Sequence, residues 1–187
     1  MPLKKLLLSL FALALALSAT IALAQKRSPS TPEERKRAVE IATLLENDPL
    51  NKDAPDLSAW LVKFLVDVPD ISVPICTAVL GDYSKIKGDY APTISAQLLF
   101  SEARFIIEHT EQANDKYQIY LAGVEGVLRT YENIKKAKPK VKIKPLEELL
   151  LKQQAGQLGE FVKNAMAAGC KSGRVNDGGS ETSHGDG

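Results

Sequence analysis

Apolar positions along this chain recur at three- and four-residue steps, the period of an α-helix, and no run alternates in the manner of a strand. The clearest block runs from Glu111 to Lys136. There Tyr117, Tyr120, Leu121, Val124, Val127, Leu128, Tyr131 and Ile134 mark one continuous face. At 1.5 Å per residue that helix would be roughly 37 Å long. Ala122, Gly123 and Gly126 lie beside the stripe. Each helix-interior glycine costs about 1 kcal/mol against alanine, so the two glycines predict a close crossing with another helix.

The other blocks carry helix start and stop signals. Thr31-Pro32-Glu33-Glu34 opens a helix, with Thr31 as N-cap, Pro32 in the first position and Glu34 as return partner of a capping box. Val39, Ile41, Ala42, Leu44 and Leu45 give it an apolar stripe up to Asn47, and Asp48-Pro49 ends it. A second helix near Asp56 to Val66 would bury Trp60, Leu61, Phe64 and Leu65. After a short apolar stretch and the loop at 81–89, a helix near Pro92 to His109 is apolar on nearly all sides, which marks a buried, central element. A linker at 138–144 contains Pro139, and Pro145 starts a last helical segment, kinked at Gly156 or Gly159, that reaches about Cys170. The expected fold class is all-α: a single domain of five or six helices over residues 31–170, arranged as a helical bundle or as stacked helical hairpins.

One short resemblance bears on that choice. The segment Val127 to Pro139 (VLRTYENIKKAKP) resembles the second helix of a tetratricopeptide repeat, with Tyr131 at the preferred aromatic position and Pro139 at the closing proline. It covers thirteen residues. Upstream, Asn114 and Asp115 stand where that family has Leu and Gly, and no second copy appears at the family's spacing of about 34 residues. The resemblance implies a tetratricopeptide-like helical hairpin.

Both ends of the chain read differently from its middle. Residues 1–24 have the form of a secretory signal: Lys4 and Lys5, a Leu/Ala core, and Ala22-Leu23-Ala24 as the cleavage site. Cleavage after Ala24 would remove both lysines and no acid, turning a formal charge of +1 into −1, and would leave no membrane span. A polar leader follows at 25–30, and the Gly/Ser/Asp-rich tail at 171–187 has too little apolar surface to pack. The expected location is the periplasm or the outside of the cell. Export also decides how Cys76 and Cys170, the two cysteines, are read: an even count in an oxidising compartment predicts a disulfide between them.

Candidate chemistry is sparse. There is no G-x-S-x-G elbow, H-E-x-x-H, C-x-x-C or calcium loop, so no metal or cofactor is expected. His109 is the one histidine before the tail, at a helix end beside Glu108 and Glu111. Balanced charge argues against a nucleic-acid partner. Two features remain as candidate binding elements. Lys138, Lys140, Lys142 and Lys144 belong to KKAKPKVKIK, six lysines in ten residues, a candidate docking strip for an anionic envelope surface or an envelope protein. Tyr117, Tyr120 and Tyr131 share one helix face and would either line a groove or form a core edge with wet hydroxyls. The functional expectation is an exported, non-catalytic helical binding domain. Two alternatives stand beside it: a small envelope hydrolase using carboxylates among Glu102, Glu108 and Glu111, and a structural homo-oligomer joined through the Ala122/Gly123/Gly126 face.

Overall fold

The structure, a computed structural model, describes residues 27–170. The signal peptide, the start of the leader and the tail read from the sequence lie outside the described residues. Within them there are six α-helices and no strand: α1 Pro32–Asn47, α2 Ala54–Asp67, α3 Ala91–Glu108, α4 Lys116–Ala137, α5 Lys144–Gln154 and α6 Leu158–Gly169. Single 3-10 turns stand at Thr77–Leu80, Tyr83–Lys85 and Thr110–Gln112.

Local chemistry sets these boundaries. The Thr31 hydroxyl accepts the Glu34 N–H while the Glu34 carboxylate accepts the Thr31 N–H, so the capping box is formed. Proline occupies the first turn of α1, α2, α3 and α5, where its missing N–H is harmless. Asp115 accepts from the N–H groups of Tyr117 and Gln118 and so starts α4 later than the Glu111 read from periodicity. Gly156 adopts φ +70°, a conformation natural to glycine. The predicted kink is therefore a full break, and one long segment becomes α5 and α6.

α4 is the axis of the molecule. It packs against α1, α3, α5 and α6, making a helical bundle around a central helix. Two apolar clusters lie on either side of it. One joins Val79, Leu80, Val124, Leu128, Tyr131, Leu146 and Val162; the other joins Ala38, Leu45, Leu61, Phe64, Phe100 and Ile106. Leu44, expected inside, is 41% exposed, because the buried face of α1 runs through Ala38, Ile41, Ala42, Leu45 and Glu46 instead.

The predicted close crossing is present between α3 and α4. A Cβ on Gly126 would stand 1.9 Å from Ser101 Oγ, and one on Gly123 would stand 2.7 Å from Glu102 Cγ. Both glycines are buried. Gly123 and Gly126 of the face read for subunit contact are thus packed within the chain, while Ala122 is half-buried. Cys76 and Cys170 are joined as a disulfide with their Cα atoms 5.3 Å apart. The bond fastens the end of α6 to the 3-10 turn that begins at Thr77.

Candidate functional site

The two candidate binding elements occupy different environments. Tyr131 is fully buried and Tyr120 is 4% exposed. Tyr117 is half-buried, with the Lys163 ammonium 4.9 Å from its ring centre. These tyrosines belong to the core and its edge and do not form an open groove, because the apolar stripe that carries them is the face α4 turns toward its neighbours. The Tyr131 hydroxyl is wholly used within the protein. It donates to Glu147 Oε1 at 2.6 Å and accepts the Ile143 N–H at 2.9 Å. Burial, reinforced by the Glu147 carboxylate, pushes the phenol up to about 12.

That hydroxyl builds the corner between α4 and α5. Lys135 donates to the same Glu147 oxygen at 2.8 Å and lies 5.3 Å from the centre of the Tyr131 ring. Lys135, with Tyr131 second, holds the Glu147 carboxyl below the usual range. The Lys138 N–H donates to Ile134 and the Val141 N–H to Lys138, folding the connection into a turn. Lys138, Lys140, Lys142 and Lys144 all stand exposed on it. Lys144 lies 3.9 Å from Glu148, whereas Lys138, Lys140 and Lys142 have no acid within ion-pair distance among the described residues.

The three candidate catalytic carboxylates do not converge. Glu102 is 1% exposed and packed at the Gly123 crossing; its Oε1 has no hydrogen-bond partner, and burial drives its carboxyl well above the usual range. Glu108 is solvent-facing, 3.9 Å from Arg104, and Glu111 is solvent-facing beside His109 at 3.8 Å. A cleft of about 340 Å³ lies between the α1–α2 loop and α3, and none of its lining residues is titratable. Glu102, Glu108 and Glu111 do not line this cleft. Among the described residues, no group of three or more His, Cys, Asp or Glu is gathered in metal-binding distance.

A cluster centred on Glu46 went unread in the sequence. Its carboxylate, 4% exposed as a residue, accepts from Arg129 Nε at 2.6 Å and from an Arg104 guanidinium nitrogen at 3.0 Å. Its backbone carbonyl accepts from Asn133 at 3.0 Å. Ser101 Oγ donates to the Glu46 carboxylate at 3.5 Å and accepts from Gln97 Nε2 at 2.8 Å, so a buried polar chain runs from the cluster to the cleft. The signal was Glu46 itself, which continues the i, i+4 row of Ala38 and Ala42 on a face that is otherwise apolar.

No helix among the described residues is long and apolar enough to cross a membrane. No family model matches the chain, and neither a curated protein nor a solved structure matches it.

Proposed function

We propose that this protein is an exported, non-catalytic helical domain that docks on anionic lipid headgroups through the α4–α5 corner. The observation that carries the reading is the exposure of Lys138, Lys140 and Lys142 at one corner, none of them in an ion pair among the described residues, although the Lys142 charge is felt by Glu147. Each lysine near an anionic membrane surface contributes about 1 kcal/mol, and charge alone suffices for that attraction. A specific protein interface calls for a desolvated aromatic or apolar anchor. The large exposed apolar residues, Leu44, Leu50, Val62, Val66, Ile75 and Leu151, all lie outside the turn. Nucleic acid would call for stacking aromatics, and the segment 135–144 holds none. Export is supported by the signal-like residues 1–24 and by the Cys76–Cys170 bond, since disulfides persist in oxidising compartments.

The test is sedimentation with phosphatidylcholine vesicles that contain phosphatidylglycerol, against phosphatidylcholine alone. Binding should require phosphatidylglycerol, weaken with added salt, and fall on the order of a hundredfold in a Lys138→Glu/Lys140→Glu/Lys142→Glu variant. Equal binding to both vesicles, or full binding by the triple variant, would overturn the reading.

A further inference from the structure

We propose that the cleft between the α1–α2 loop and α3 is a binding site for a small, uncharged molecule with an apolar body and one O–H or N–H donor, anchored on Gln97. The site is independent of the lysine corner. Its volume of about 340 Å³ lies at the small end of ligand sites, which run from about 300 to 1,000 Å³.

The walls select the ligand class. Leu45, Pro49 and Phe100 are buried lining residues that supply apolar surface, and Pro55 and Pro92 are exposed lining residues whose rings stiffen the backbone there. No lining residue carries a charge, so an ionised ligand would lose its hydration without gaining a counter-charge. An uncharged molecule suffers no such loss.

Gln97 supplies the point of specificity. It is 2% exposed and lines the cleft. Its amide nitrogen donates to Ser101 Oγ, and the orientation is set from behind: Ser101 directs its own proton to the Glu46 carboxylate, leaving only lone pairs to face Gln97. The amide oxygen is thereby turned away from Ser101, and it has no hydrogen-bond partner among the described residues. The amide oxygen has no protein partner on a residue that lines the cleft, so a donor arriving through the cleft would complete it. The amide is linked through Ser101, by a long 3.5 Å contact, to Glu46, which Arg104 and Arg129 hold.

Phenol and anisole make a matched pair of probes, since methylation removes the donor and keeps the ring. Titrating each into the isotope-labelled protein, phenol should give saturable shifts at the Gln97 side-chain amide, Ser58 and Ala96, with contacts from its ring protons to the Ala96 methyl. Anisole should bind about five- to tenfold more weakly, the worth of one buried hydrogen bond. In Gln97→Met that preference should vanish, and Ser58→Trp, which fills the mouth from α2, should abolish binding of both. The idea is overturned if phenol gives no saturable shifts, if its contacts map elsewhere, or if the wild-type protein binds both probes alike. Because the phenol–anisole comparison is made on the unaltered protein, it decides the matter even if a variant folds poorly.

Discussion

The hydroxyl of Tyr131 and the carboxylate of Glu147 meet at 2.6 Å and tie the central helix to the start of α5. The same hydroxyl satisfies the Ile143 N–H, on a residue that is 5% exposed. Tyr131→Phe keeps the ring and strands that N–H, which costs about 1–3 kcal/mol. Urea denaturation should show a loss of that size, with faster amide exchange at Val141 and Ile143. Unchanged stability would mean that the hydroxyl does not hold the corner.

Alanine normally stabilises a helix over glycine by about 1 kcal/mol, and at position 126 the sign should reverse. The new Cβ would stand 1.9 Å from Ser101 Oγ and 2.5 Å from Ser101 Cβ. Gly126→Ala should therefore destabilise by about 2–3 kcal/mol, the usual cost of overpacking. Adding Ser101→Gly removes both obstructing atoms and should return part of the loss, which thermal denaturation of the single and double variants would read.

Glu102 predicts an inverted pH dependence. Burial holds its folded-state carboxyl well above the ordinary 4.5, so the unfolded chain releases this proton first as pH rises. Its contribution is harmless below that value and becomes a growing penalty as pH climbs toward the raised one. Glu102→Gln should raise the Tm near pH 7, and the gain should shrink toward zero near pH 4. Asp70 acts in the opposite sense. Burial raises its carboxyl, but hydrogen bonds from Ser30 and Arg35 outweigh that and lower it to about 2, so its contribution is present above 3.8 and lost as pH falls through about 2. A gain from Glu102→Gln that did not vary with pH would refute the buried-acid account.

The disulfide should matter to stability more than any single side-chain contact. It spans 94 residues, and closing a loop of that size contributes about 4–5 kcal/mol in the chain-entropy picture. Cys76→Ser/Cys170→Ser should lower the denaturation midpoint accordingly. Intact mass under non-reducing conditions should be lighter than the reduced form by two hydrogens.

Helices were legible wherever one residue type has a single local use. Thr31, Pro32 and Glu34 announce α1 because a capping box needs only neighbours in sequence, and Gly123 with Gly126 announced a close crossing because little else tolerates glycine in a helix. Partners were not legible. Nothing local says that Gly126 meets Ser101 of the same chain, or that Glu46 meets Arg104 and Arg129. Tyr131 shows the same limit: its stripe placed the ring correctly at a packed face, while the fate of its hydroxyl depended on Ile143 and Glu147 coming back over it. The cleft escaped notice because prolines and short neutral side chains leave no periodic signature.

The bond between Cys76 and Cys170 also changes how the molecule would bear a mechanical load. A pull applied to the backbone beyond Cys170 passes through the sulfur bridge directly to Cys76, at the edge of the turn that precedes α3. α3, α4, α5 and α6 lie inside the covalent ring and stay slack. Tension between the two ends is carried instead by the stretch from residue 27 to 76, so α1 and α2 would peel away first and the four-helix remainder would hold its length until the bridge is reduced.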